Sequence, residues 1–324
     1  MFLNKACLDR SMAGAKFGCY IFQDALTFEE ILKIARQCER LGLESVWLKD
    51  NFAPWLQKWF KGQKAIPNAS FLESWTTLSA LASLTKKIRI GCVLVNLYRQ
   101  PSLVAKMAST LDAISDGRLE LGLSAGWNRE ECASYGIAFR RASTRRKMLA
   151  EAVKVIKMMW AEQTPSFRGE HYSLHRALCW PKPIQKPRPT LWIGGSADET
   201  LGIAAREAGG WIYGLCEKGR YMESLKRLRL ECDEAGRDWR TITKAWYGFV
   251  DIEAGQGRAK ERRRLGGDEA RRTTAAIMGR SEEVARELKT YLDAGVTYFI
   301  PTFTNEKIYE QLRTFSDEVI PQLR

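Results

Sequence analysis

The chain has 324 residues, 45% apolar and 27% charged, close to the globular norm of about 45–50% and about 25%. Disordered, collagen-like and coiled-coil readings are thereby excluded, and there is apolar material for a sizeable core. Lysine and arginine number 51 against 38 acidic residues, a net charge of +13 that steers anionic ligands toward the protein. At about 150 residues per domain, the length suits two domains or one large α/β barrel. The eight cysteines include no Cys-x-x-Cys, so neither a zinc knuckle nor a redox pair is written, and a reducing, cytoplasmic setting is expected. Lys5, Asp9 and Arg10 break the start of the chain, so residues 1–15 read as an N-terminal arm and not a secretory signal. The longest apolar stretch, residues 88–97, is interrupted by Arg89 and Asn96 and falls short of the ~20 residues a membrane span needs.

From residue 16 onward short apolar runs alternate with amphipathic ones. Residues 16–22 read as a strand, and Thr27-Phe28-Glu29-Glu30 as a capping box opening a helix with Ile31, Ile34, Ala35, Cys38 and Leu41 at helical spacing. Gly42 ends that helix. A strand at 45–49, a helix at 73–85, a strand at 88–95, a helix at 102–114 and a strand at 119–124 complete four strands. A long helix at 145–160 precedes a Pro-punctuated excursion, residues 165–189, with a hairpin around 167–174. Strands at 191–194, 210–213, 242–252 and 298–301 then alternate with helices at 199–208, 220–235, 281–293 and 307–319. Eight such units with no Gly/Pro/Ser-rich linker predict a single (β/α)8 TIM barrel over residues 16–324, with insertions after strands two, four and seven. The insertions at 52–70 and 256–279 follow strand C-termini, the barrel end where active sites are built.

His171 and His175 are the only histidines, and they lie in the excursion; a solvated hairpin pair is the expectation, with no metal site. No His-Glu-x-x-His or phosphate-loop motif occurs. A mouth without histidine favours cofactor chemistry over hydrolysis or isomerisation. Leu191-Trp192-Ile193-Gly194-Gly195-Ser196 runs a strand into a glycine turn before a helix, an arrangement whose backbone N–H groups hold a phosphate; a plain strand-to-helix turn is the alternative. Gly122 to Asn128 forms a second small-residue exit with Trp127 as a wall, and Asp50 and Asn51 place a carboxylate and an amide at the end of strand two. The basic run 257–272 reads as a solvated surface, with an acidic ligand tail as the other possibility.

Together these segments resemble the luciferase-like oxidoreductases, the flavin- and deazaflavin-dependent TIM barrels related to bacterial luciferase. The densest part is Glu73 to Ala82, Ile88-Arg89-Ile90-Gly91, Tyr98-Arg99-Gln100-Pro101, Thr110 to Arg118, Ala125-Gly126-Trp127, Pro181 to Gln185 and Ile193-Gly194-Gly195. Within the family, residues 74–112 with Gly126-Trp127 are most similar to members using coenzyme F420, and Asp50 to Trp55 resembles the deazaflavin-dependent sugar-phosphate dehydrogenases. The resemblance implies catalytic positions at Asp50 and Asn51. It places Asp50, Val93, Leu94, Asn96, Ser124, Gly126 and Trp127 around the cofactor ring, and Trp55 and Trp127 toward the substrate. Gly194, Gly195 and Ser196 would hold the phosphate, and the end of strand three would meet the ring through a bulge that is often a cis peptide. Asn51 stands where the sugar-phosphate enzymes carry histidine, and Trp127 where they carry glutamate. An amide is no acid–base group at neutral pH, so the expected task is hydride transfer between F420 and a small organic substrate, the protein supplying orientation and exclusion of water. An FMN-dependent monooxygenase is the first alternative, and a non-catalytic barrel binding nucleic acid a weaker one. No nucleic-acid or membrane partner is expected, and relatives suggest a homodimer.

Overall fold

The first helix starts as its sequence requires: the Glu30 N–H donates to Thr27 Oγ1 at 3.3 Å and the Thr27 N–H to Glu30 Oε2 at 2.7 Å. The computed structural model describes residues 14–53, 70–252 and 276–324. In chain order the elements are β1 (Lys16–Ile21), α1 (Phe28–Arg40), β2 (Ser45–Lys49), α2 (Ser74–Leu84), β3 (Arg89–Val95), α3 (Pro101–Ile114) and β4 (Leu119–Ser124). Next come α4 (Arg129–Ser134), α5 (Ala142–Ala161), the hairpin β5 (Phe167–Arg168) and β6 (Ser173–Leu174), β7 (Thr190–Gly194), α6 (Asp198–Glu207), β8 (Gly210–Gly214) and α7 (Lys218–Glu234). The chain closes with β9 (Thr243–Ile252), β10 (Ile277–Gly279), α8 (Ser281–Asp293), β11 (Tyr298–Thr302) and α9 (Ile308–Thr314).

Strands β1, β2, β3, β4, β7, β8, β9 and β11 pair in parallel, and the β8–β9 and β1–β11 ladders close them into the eight-stranded barrel. Two expectations need correction. The end of the insertion at 256–279 is sheet: β10 extends β9 through Ile277↔Val250 to Gly279↔Ile252. The end of strand three carries no bulge, because Ile90↔Leu119 to Val95↔Ser124 runs in unbroken register. The cis peptides among the described residues are Trp180–Pro181 and Lys186–Pro187, both outside residues 93–96. Residues 1–13, Trp55 and the run 257–272 lie outside the described residues, and among those described no helix is long and apolar enough to cross a membrane.

Strand periodicity sorts the side chains into two cores. On β1 and β2, Cys19, Ile21, Val46 and Leu48 face the helices, while Tyr20, Phe22 and Trp47 fill the barrel with Trp192, Ile212, Ala245, Tyr298 and Ile300. Glycine makes room for the indoles: a Cβ on Gly91 would lie 2.5 Å from Trp47 Cδ2, and one on Gly210 2.2 Å from Trp192 Cε3. Trp47 and Trp192 meet edge to face at 5.6 Å. Trp192 Nε1 donates to Glu120 Oε2 at 2.6 Å, and Arg89 pairs with the same carboxylate. Burial pushes the Glu120 carboxyl up, and Arg89 opposes that shift.

Several residues of the resemblance are scaffold. Arg118, 8% exposed, donates to the carbonyls of Ala82, Thr85, Ile88 and Ser115 at 2.6–3.2 Å, tying the end of α2 to β3 and β4. Asp112 accepts from Gln185 N at 3.0 Å and Gln185 Nε2 at 2.6 Å, anchoring the excursion on α3.

Candidate active site

Because every barrel strand is parallel, their C-terminal ends share one mouth, and the cleft there encloses about 410 Å³, within the ~300–1,000 Å³ of ligand sites. Tyr20, Phe22, Val93, Ile212 and Tyr247 line it from inside the barrel. Around the rim stand Lys49, Asp50 and Asn51 from β2, Ser124 to Asn128 from β4, and Gly194 to Ala197 from β7. Nine of the sequence-expected positions therefore converge: Asp50, Asn51, Val93, Ser124, Gly126, Trp127, Gly194, Gly195 and Ser196. Leu94 and Asn96 do not line the cleft. Leu94 has the outward parity of β3 and sits 1% exposed in the helix-facing core, and Asn96 Nδ2 donates to the Tyr172 hydroxyl at 3.0 Å. Trp127 is 60% exposed and forms an outer wall.

Asp50 is 3% exposed and its carboxylate is committed inward. Oδ2 accepts from the Val95 N–H at 2.7 Å, Oδ1 from Ser74 Oγ at 3.0 Å, and Arg99 Nη1 reaches the two oxygens at 2.9 and 3.0 Å. Arg99 Nη2 continues to Glu73 Oε1 at 2.6 Å. Burial raises the Asp50 carboxyl's pKa, while the guanidinium and the N–H and O–H donors oppose it. The network ties the ends of β2 and β3 to the start of α2.

Sequence reasoning missed a second hub. Glu131, 6% exposed on α4, accepts from Asn51 Nδ2 at 2.9 Å, from the N–H groups of Phe52 and Ala53 at 2.8 and 3.4 Å, and from the Tyr98 hydroxyl. The phenol of Tyr98 is pushed up by burial and by Glu131, so it stays protonated and donates. One signal was in the sequence: Asn128 and Glu131 have N-cap and N3 spacing, and the Glu131 N–H indeed donates to Asn128 Oδ1 at 3.2 Å.

At the far side of the cleft the glycine turn is tightly determined. A Cβ on Gly194 would lie 2.9 Å from Val93 Cγ1, Gly195 has φ +127°, and Trp211 Nε1 donates to the Gly195 carbonyl at 2.7 Å. Gly126 is equally restricted, with φ +78° and Val95 Cγ1 2.8 Å from its would-be Cβ. Helix α6 begins at this turn, and its N-cap Ala197 offers no side-chain acceptor. Its first N–H groups and partial positive charge therefore face the cleft. Arg145 and Arg146 of α5 and Arg220 of α7 also line this end. Arg146 Nη2 reaches Glu199 Oε1 at 2.9 Å and Arg145 stacks 4.0 Å over Phe139, yet Nε of each is buried without a hydrogen-bond partner among the described residues. Three arginines, a glycine turn and a helix N-terminus thus meet at this end, with Asp198 and Glu199 in the first turn of α6 as the acidic residues beside them. The two histidines lie elsewhere, His171 half-buried and His175 exposed in the excursion, and the described residues hold no metal-binding group.

A family model described as luciferase-like monooxygenase matches residues 11–265. The chain belongs to that family. It is 26% identical over 328 residues to the F420-dependent glucose-6-phosphate dehydrogenase of Kineococcus radiotolerans, covering 91% of this chain and 93% of the relative. It is 31% identical over 175 residues to pyrimidine monooxygenase RutA of Acinetobacter baylyi, covering 52% of this chain and 47% of that enzyme. Among solved structures, an F420-dependent secondary alcohol dehydrogenase in complex with an F420-acetone adduct superposes with a TM-score of 0.81 at 20% identity, over 96% of this chain and all of the other. The family's barrel is thus the barrel described above.

Proposed function

We propose that the protein transfers a hydride between coenzyme F420 and a small organic substrate held in the cleft at the C-terminal mouth of the barrel. The observation that carries this reading is the cleft's division into an anion-binding end and an apolar-walled end. The buried, unpartnered Nε atoms of Arg145 and Arg146, the Gly194-Gly195-Ser196 turn and the start of α6 suit the cofactor's phosphate and acidic tail. Val93, Ile212 and the small residues Ser124, Ala125 and Gly126 leave a slot for a flat ring. A deazaflavin held by these residues would supply a hydride-transferring ring carbon and, with carbon where flavin has nitrogen, little reactivity toward oxygen. The chain's own residues bind and orient: the carboxylates of Asp50 and Glu131 hold the loop after β2 at the slot, and Trp127 screens it from solvent.

F420 is favoured over FMN because the relatives aligned over nine-tenths of the chain are F420-dependent dehydrogenases, from Kineococcus radiotolerans and Amycolatopsis mediterranei. The monooxygenase reading is supported by the similarity to RutA over half the chain and by the description of the family model. Parallel fluorescence titrations with F420 and FMN, followed by an oxygen-electrode trace, separate the two. Tighter binding of F420, with no substrate-dependent oxygen uptake, is expected. A preference for FMN accompanied by oxygen consumption would establish the monooxygenase instead.

A further inference from the structure

The parity that turns Trp47 into the barrel turns Lys49, two residues on, into the mouth directly above it. Lys49 is 4% exposed and lines the cleft beside Asn51. Its position is fixed at both ends. The Lys49 N–H donates to Gln23 Oε1 and Gln23 Nε2 donates to the Lys49 carbonyl, each at 3.0 Å. The ammonium pairs with Asp24 and sits 4.7 Å from the Phe22 ring centre and 4.9 Å from that of Phe71. The second oxygen of Asp24, Oδ1, is buried with no hydrogen-bond partner among the described residues.

Among the described residues, the other titratable groups of this corner are poorly placed to accept a proton. Asp50 is engaged by Arg99, Ser74 and Val95, and Glu131 by Asn51, Tyr98 and backbone N–H groups. The phenols of Tyr20, Tyr98 and Tyr247 are all raised by burial and keep their protons. Asn51 does not titrate. Burial brings the Lys49 amine down to about 8, with Asp24 and then Glu131 acting in the opposite sense. That value lies near the pH of the cell, where proton transfer is most effective.

Resting on the F420 reading above, we propose that Lys49 is the proton-transfer residue of this cleft and that the substrate is a small alcohol and carbonyl pair. In the oxidative direction the alcohol O–H bond breaks and its proton goes to neutral Nζ. The carbinol C–H bond breaks with its electron pair, which leaves as hydride to oxidised F420, and a C=O double bond forms. The new ammonium then returns the proton to solvent. In the reductive direction the ammonium gives its proton to the carbonyl oxygen as reduced F420 supplies the hydride. Asp24 is a positioning residue that holds Nζ toward the cleft.

Two measurements test this. Protein labelled with [ε-¹³C]lysine and titrated by NMR should show two lysines with a midpoint near 8, Lys49 and Lys244; the one missing from Lys49→Met is Lys49, and its midpoint should be displaced downward in Asp24→Asn. A midpoint near the ordinary ~10.4 would overturn the proposal whatever cofactor binds. Wild type and Lys49→Arg are then compared with F420 and a panel of short primary and secondary alcohols headed by propan-2-ol. Arginine keeps the charge that pairs with Asp24 but gives up no proton. With its melting temperature and F420 affinity unchanged, Lys49→Arg should lose about 10²–10⁴-fold in kcat/KM and lose the rise with pH toward a plateau above about 8. Retained activity with the same inflection would overturn the role of Lys49, and no turnover of the panel would overturn the substrate class. Failure of the wild type to bind F420 refutes the cofactor reading, while the NMR titration still judges the lysine.

Discussion

Gly195→Asp is expected to yield a folded protein that no longer binds the cofactor. The residue sits at φ +127°, a region that L side chains rarely adopt, and its Cβ would come within 3.3 Å of Thr200 Cγ2. Its carbonyl is held by Trp211, so the backbone cannot easily turn away, and the new carboxylate would project beside the start of α6. Two like charges about 4 Å apart repel by about 4 kcal/mol at an effective dielectric near 20, so affinity should fall by at least about 100-fold. Backbone strain should cost a further ~1–3 kcal/mol of stability, which a barrel of this size survives. Calorimetric titration with circular dichroism as a fold control checks both parts. A folded variant with wild-type affinity would put the phosphate elsewhere.

Arg99→Met should be the most damaging single change to the fold near the site. The guanidinium is the sole cation on the Asp50 carboxylate among the described residues, and the paired side chains are 14% and 1% exposed. Removing one member of such a pair strands a buried charge, at a cost of about 3–5 kcal/mol. The pH dependence has a definite sign. Burial already raises the Asp50 carboxyl, and without Arg99 it rises further, so the folded state of the variant binds this proton more tightly than the unfolded chain does, whose aspartate titrates near about 3.9. The unfolded chain titrates alike in both proteins, so the variant loses stability relative to wild type as pH climbs from the wild-type folded value, itself raised, to the higher folded value of the variant, and its deficit is smaller in acid. Urea denaturation of variant and wild type at pH 5 and pH 8 measures this. Adding Asp50→Asn should recover part of the loss at pH 8, and a deficit equal at the two pH values would contradict the account.

The barrel was legible because its signals are periodic and local. Alternation along residues 45–49 separates Trp47 from Val46 and Leu48, and the Thr27 and Glu30 capping pair announces α1. The same alternation, applied to β3, assigns Val93 to the cleft and Leu94 to the helix-facing core, whereas the resemblance had grouped them. What stayed hidden depends on contacts distant in sequence. Glu131 meets Asn51 across 80 residues, and Lys49 meets Asp24 across 25; neither partner can be named from spacing. Helix α4 has six residues, too few for a periodic signal, and Arg145 and Arg146 look like surface charge until α5 is packed beside the β7 turn. The glycine turn was visible as a turn, but its three arginines were not.

The most direct test of the account is a crystal structure of the protein with F420. The phosphate should lie within hydrogen-bond distance of the Gly195 and Ser196 N–H groups and of Arg145 or Arg146, with the ring between Val93 and the Ser124 to Gly126 strand exit. A phosphate bound away from the β7 turn, or a ring outside this cleft, would contradict it.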